Sequence, residues 1–245
     1  MQRATLEVPL DSLGAAILAA PISDRLELCD DLPSEGWSPT WDFVRAVRAA
    51  VPVHLVAMIR PRIPGAIAEL APAAFRTTPE LLDACLREIA AAADAGANSV
   101  AVSLLDDQGH VDRSACARLV HAAHAHGMQA AFLRTFDLLA DRERGMRDIT
   151  ELGFVRVVTA GVRGWDAGVA TLPERLAVLA CDAANAERFA RECGRTPVEV
   201  VPGGGVRASN AAEFLRVSPH LHASCRRDGT ISAEELCALA TAMGR

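Results

Sequence analysis

Five charged or titratable residues stand in short β-like runs, where a buried strand would ordinarily carry Val, Ile or Leu. They are Glu7 in TLEV (5–8), Glu27 in RLELC (25–29), Arg60 at the end of VHLVAMIR (53–60), Arg134 at the end of MQAAFLR (128–134) and His222 in HLHASC (220–225). Two carboxylates on neighbouring strands would push one pKa upward and leave an acid beside a base. An imidazole next to them would shuttle a proton near neutral pH. The alternative is an internal ion-pair network that only neutralises itself. The stretch EVVPGGGVR (199–207) adds Gly203, Gly204, Gly205 and Arg207 ahead of a helical ASNAAEFL. Glycines let backbone N–H groups approach a ligand closely, and a following helix would add the positive end of its dipole. This loop is therefore expected to hold a phosphate or carboxylate, with Arg60 and Arg62 adding bidentate guanidinium contacts. The alternative is a tight turn and nothing more.

Such residues need a frame that brings strand ends together. Short β-rich runs alternate with helical stretches about eight times along the chain. That alternation predicts a parallel sheet. With eight units in 245 residues it predicts an α/β fold, a (β/α)8 TIM barrel forming a single domain over 1–245. An open doubly wound sheet is the alternative. The helix within SPTWDFVRAVRAA is expected to start with Ser38 as N-cap and Pro39 in its first turn.

Strand periodicity then selects side chains, because residues two apart share a face. Leu6 and Val8 facing the helices turn Glu7 inward, and Leu26 and Leu28 do the same for Arg25, Glu27 and Cys29. The same reasoning puts Val56, Met58 and Arg60 inside strand three, Ser103 inside strand four and Phe132 and Arg134 inside strand five. Thr159 falls inside strand six, and His222 and Ser224 inside strand eight. The active site of such barrels lies at the C-terminal ends of the strands, and the loops after strands seven and eight often bind phosphate.

Composition removes several function classes. The net charge is −6 and no basic block is present, which argues against nucleic acid. No apolar run reaches membrane-spanning length, and Glu7 and Asp11 interrupt the N-terminal stretch before its short apolar helix, unlike a secretory signal, so a cytoplasmic protein is expected. The seven cysteines are scattered without a CxxC pair, which indicates neither a disulfide framework nor a zinc knuckle. The chain has no lysine, so no Schiff base can form on a side chain. His121, His124 and His126 in HAAHAH read as a solvated helix end rather than a metal site. Alanine-rich helical faces permit a homodimer.

The segments DRLELC (24–29), EGWSPT (35–40), IRPR (59–62), LDDQGHVD (105–112), FLRTFD (132–137), ELGFVRVVTAG (151–161), GGGVRASN (203–210) and HLHAS (220–224) fall in order across nearly the whole chain. Together they resemble the CutC family, described as copper homeostasis proteins with a TIM-barrel fold. The resemblance implies a cleft at the barrel mouth formed here by Glu7, Glu27, Cys29, Arg60, Arg62, Arg134, Asp137, Gly205 and His222. Departures accompany it. Val8 and Pro9 stand where family members often have cysteine, Val56 where they usually have His, and Leu133 in the His place of the FHRAFD motif. IPGAIAEL replaces an acid-rich stretch. Cu(I) prefers thiolate and thioether ligands. A copper site would here draw on Cys29, Met58, Cys225 and His222. Two readings follow: acid–base chemistry of isomerase or lyase type on a small anionic molecule, without a certain cofactor, or Cu(I) binding.

Overall fold

A computed structural model of the chain describes residues 3–245; the first two residues of MQRATLEVPL lie outside the described residues. Eight strands alternate with eight helices. The strands are β1 (Thr5–Leu10), β2 (Arg25–Leu28), β3 (His54–Met58), β4 (Ser99–Ala101), β5 (Gln129–Phe132), β6 (Arg156–Thr159), β7 (Glu199–Pro202) and β8 (His220–His222). The helices are α1 (Leu13–Ala19), α2 (Trp41–Ala50), α3 (Pro79–Asp94), α4 (Arg113–Ala125), α5 (Arg142–Leu152), α6 (Leu172–Cys193), α7 (Ala211–Phe214) and α8 (Ala233–Ala242). A two-stranded hairpin, β9 (Arg226–Arg227) with β10 (Thr230–Ile231), follows β8.

All eight strands are parallel, in the order β7-β6-β5-β4-β3-β2-β1-β8. β8 and β7 lie against each other, and the Ser218 hydroxyl donates to the Val200 carbonyl at 2.6 Å across that seam. The sheet is thus rolled into a (β/α)8 TIM barrel, as the alternation of elements predicts.

Two apolar layers follow from the pleat. Leu6, Val8, Leu26, Leu28, Leu55, Val100, Phe132, Val157 and Leu221 belong to the large core between sheet and helices. Cys29, Val56, Met58, Ala101, Ala131 and Leu133 form a small separate cluster inside the barrel. Strands one, two and three have the expected phase. Strand five has the opposite one: Phe132 packs edge-on against Phe136 and Phe154 at centroid distances of 6.4 and 5.3 Å, so Ala131 and Leu133 face inward. The bulky ring finds room only beneath the helices. Strand six is also inverted. Thr159 donates to Asp137 Oδ1 at 2.6 Å and accepts from Arg142, outside the barrel, and Arg156 faces inward instead.

Local signals explain most helix starts. Thr78, Asp112, Asp141 and Ser232 each accept a backbone N–H as N-caps of α3, α4, α5 and α8. For α2 the cap is Thr40, not Ser38. Ser38 accepts from the Arg60 N–H at 2.8 Å and donates to Glu88, so it ties the end of β3 to α3. No helix among the described residues is long and apolar enough to cross a membrane.

Candidate functional site

The C-terminal ends of the strands surround a cavity of about 410 Å³. Its polar floor is Glu27 from β2 and His222 from β8, which flank β1 and its Glu7. His222 Nδ1 lies 3.0 Å from Glu7 Oε1, and His222 Nε2 lies 3.8 Å from Glu27 Oε2. Glu7 also accepts from Arg25 Nε at 3.0 Å and has Arg156 Nε at 3.8 Å. Glu27 accepts no hydrogen bond from the protein among the described residues.

The two carboxylates titrate in opposite directions for this reason. Burial works against the Glu7 charge, but the His222 hydrogen bond and the Arg156 and Arg25 guanidinium groups outweigh it and hold the carboxyl well below the usual range. Burial pushes Glu27 up to about 7, helped by the negative charge of Glu7 and opposed by His222 and Arg156. Burial disfavours imidazolium at His222, yet the hydrogen bond to Glu7 and the charges of Glu27 and Glu7 raise its pKa. Because ionised Glu7 accepts from Nδ1, the Nε2 position is the one that exchanges a proton toward the cavity.

The wall of the cavity is mostly apolar: Pro9, Leu32, Met58, Leu133, Val158 and Trp165 all line it. Arg134 reaches it because β5 ends at Phe132 and the chain enters a 3-10 turn at Arg134–Leu138. Its guanidinium stacks on Trp165 at 4.3 Å, donates to the Trp165 carbonyl at 2.5 Å and pairs with Asp137 at 3.4 Å. Asp137 is buried outside the cavity, where it also accepts from Arg142 at 3.0 Å and the Ala160 N–H at 2.8 Å. It positions Arg134 rather than touching a ligand.

The glycine loop is held from behind. Arg175 Nη2 donates to the carbonyls of Gly203 and Gly204 at 2.8 and 2.7 Å, and Arg175 Nε to that of Ala160 at 2.7 Å. Gly204 and Gly205 have φ of +66° and +85°, and a Cβ on Gly204 would fall 2.9 Å from the Ala160 side chain. Gly204, Gly205 and Arg207 line the cavity; Gly203 does not, its N–H being bound to the Thr159 carbonyl at 2.8 Å. The helix expected after Arg207 is only the four-residue α7, too short for a useful dipole. What remains, among the described residues, is the set of N–H groups of Gly204, Gly205 and Val206, which donate to no acceptor, beside the Arg207 guanidinium, which donates to the Val206 carbonyl at 3.1 Å and has no carboxylate within ion-pair distance.

Several expected residues are elsewhere. Arg62 is half-exposed, paired with Asp30 and, at 3.6 Å, with Asp31, and does not line the cavity. Arg60 does line it, but its guanidinium stacks on Trp37 at 4.0 Å and donates to the carbonyls of Gly36, Ile67 and Ala68. Ser103 accepts from Thr135 at 2.5 Å and lines a second, smaller cavity. Ser224 is at the mouth. Cys225, at φ +49°, turns its thiol into the outer core, because a residue one past Ser224 has the opposite parity. Cys29 and Met58 are both at the cavity. The Cys29 thiol donates to the Leu10 carbonyl at 3.6 Å, and burial with the nearby Glu27 charge pushes its pKa well above the ordinary value. Among the described residues no three His, Cys, Asp or Glu side chains gather as a metal centre would need.

Sequence reasoning missed Arg156, Arg175, Trp165 and Arg226. Arg156 has a readable signal, a guanidinium at the second position of the β run VRVVTAG. Arg226 lies on β9 and pairs with Asp11 at 2.6 Å. The Nε atoms of Arg156 and Arg226 and the indole N–H of Trp165 are buried without a protein partner among the described residues.

Fold and site define a class: a (β/α)8 barrel with a carboxylate–imidazole–carboxylate array at the C-terminal ends of the strands. More narrowly, the CutC family model matches residues 4–226, and the chain belongs to that family. A protein named as a CutC family member from Xanthomonas campestris pv. campestris (strain 8004) is 30% identical over 233 residues, covering 94% of this chain and 85% of the relative. A solved Streptococcus agalactiae structure, named as a copper homeostasis protein CutC, superposes with a TM-score of 0.74 at 20% identity, covering 90% of this chain and 98% of that one. The 3-hexulose-6-phosphate synthase of Salmonella typhimurium superposes with a TM-score of 0.64 at 15% identity, over 98% of both chains. These last two likenesses concern the fold alone.

Proposed function

We propose that the protein is a cytoplasmic enzyme performing acid–base chemistry, of isomerase or lyase type, on a small phosphorylated or carboxylated molecule at the barrel mouth. The single observation that carries this reading is the array Glu7–His222–Glu27, in which Glu27 faces the cavity without a hydrogen-bond donor and titrates at about 7. A group with that pKa is half ionised at neutral pH and serves as base or acid with little driving-force penalty. Ionised Glu27 takes a carbon-bound proton; the electron pair left behind moves toward a neighbouring carbonyl oxygen. His222 Nε2–H donates to that oxygen, while Glu7 holds the ring through Nδ1 and stabilises the imidazolium. The free N–H groups at Gly204–Val206 and the Arg207 guanidinium support anchoring of the anion, with Arg134 beside them.

The reading is tested by incubating the protein with 2-oxo acids and phosphorylated ketoses in D2O and following loss of the exchanging C–H signal by proton NMR. Exchange in the wild type that disappears in Glu27→Gln is the expected result. Exchange that survives in Glu27→Gln, or compounds that bind without any exchange, would overturn it.

A second reading, Cu(I) binding, is favoured by one observation: Cys29 and Met58 share the inner cluster and the cavity. Cys29 would have to lose a proton that burial holds on strongly. Anaerobic competition against a chromogenic Cu(I) chelator decides it. Tight stoichiometric binding lost in Cys29→Ser would make copper primary; affinity unchanged by that substitution removes the site.

A further inference from the structure

The mouth cavity is not alone. A second cavity of about 180 Å³ lies under the loop that follows β3. The two share two walls, Arg60 and Phe75. The Arg60 guanidinium stands 4.0 Å from the Trp37 ring centroid and 5.3 Å from that of Phe75, with three backbone carbonyls as acceptors. Three of its five N–H groups are engaged by these carbonyls, and with Phe75 it forms the wall the two cavities share. Beyond it the second cavity is lined chiefly by Ile59, Ile63, Ile67, Phe75, Leu81 and Leu104.

Besides Glu35, Ser224 and the paired Arg134 and Arg226, which meet Asp137 and Asp11, the mouth has few hydrogen-bonding side chains. Glu27 and His222 stand on the floor, and Arg207 and the free amides of the glycine turn on the rim. Between them the surface is Met58, Leu133, Val158 and Trp165. A polyhydroxylated body placed on that surface would leave its hydroxyls against hydrocarbon, and each unsatisfied group would weaken binding. An apolar body loses nothing and gains with every buried carbon.

We infer that the substrate is an anion with an aromatic or aliphatic body rather than a sugar phosphate, its charged group at Arg207 and the glycine turn and its apolar arm running past Arg60 and Phe75 into the second cavity. This rests on the anion-binding reading above and narrows it. The second cavity is then a specificity pocket that measures arm length, and Arg60 is the residue an arm slides across.

Matched probes test it by calorimetry on the full chain. Phenyl phosphate is compared with ribose 5-phosphate, 3-phenylpropanoate with gluconate, and 4-propylphenyl phosphate with phenyl phosphate. The apolar member of each of the first two pairs is expected to bind at least roughly tenfold tighter, and the propyl arm to add roughly another tenfold. Ala74→Phe, which fills the second cavity, should remove the propyl gain while leaving phenyl phosphate unchanged; Ala66→Trp on the loop is the second such variant, should the first fold poorly. Arg207→Gln should weaken every probe. Equal or tighter binding of the polyols, or a propyl gain that survives both filling variants, overturns the inference and leaves the anion site standing. If no member of either pair binds, the anion reading falls and takes this inference with it.

Discussion

The two ends of the barrel interior contain the same kinds of residue and use them differently. At the bottom, polar side chains hold one another, although Arg156 Nε and Glu199 Oε2 have no hydrogen-bond partner among the described residues. His220 meets Thr5 at 2.8 Å, His54 meets Ser99 at 2.8 Å, Arg156 donates to Ser99 at 3.2 Å, and Arg25 bridges Glu7 at 3.0 Å and Glu199 at 3.6 Å. At the mouth, Glu27 faces the cavity with only His222 at 3.8 Å. Glu7 stands between the regions, held by the cations of the lower one and gripping the imidazole of the upper. Buried charge by itself is therefore not a sign of chemistry. What sets the mouth apart is a carboxylate that both lacks a donor and faces the cavity.

Three substitutions test this contrast. The largest effect is expected at the bottom. Arg156→Met leaves Glu7 short of a cation in a fully buried setting and should lower unfolding free energy by about 3 kcal/mol or more in urea titrations. A loss below about 1 kcal/mol would make the lower network dispensable. Glu27→Gln should be far milder, because no protein donor is stranded. Its signature lies in pH. With a folded pKa of about 7 against an ordinary 4.5, Glu27 keeps in the folded state a proton that the unfolded chain releases. Its contribution to stability therefore falls as pH rises from about 4.5 to 7 and is flat above, and the wild type should lose stability relative to Glu27→Gln across that window. Equal pH profiles for the two proteins would contradict the contrast. The smallest effect is expected for Arg62→Ala. Its partners Asp30 and Asp31 are, like it, half-exposed, so stability should change by less than about 1 kcal/mol and phenyl phosphate affinity should not change.

Much of this was legible in the sequence wherever alternation was strict. Leu6-Glu7-Val8 and Leu26-Glu27-Leu28 leave no doubt about which face is buried against helices, and so Glu7 and Glu27 were identifiable before any coordinates. Strand five was not: FLRTFD offers an aromatic and an arginine at the same parity, and the strand stops at Phe132 before the arginine is reached. The arginine still arrives at the mouth, through a turn that periodicity does not describe. Strand six departs from parity: counting by twos puts Thr159 inward, while its partners, Asp137 and Arg142, come from a turn and a helix outside the barrel. The glycine run was readable as a turn at the mouth, but not its support from Arg175, which is donated by α6.

The difference between the mouth and the bottom of the barrel comes down to the protonation of one carboxyl. Labelling glutamate side-chain carboxyls with carbon-13 and subtracting the Glu27→Gln spectrum from the wild type isolates Glu27 by NMR across pH. A midpoint near 7 is the result this structure requires, with Glu7 remaining ionised throughout that range. A midpoint in the ordinary range near 4.5 would mean that Glu27 is one more settled charge, and the mouth no different from the bottom.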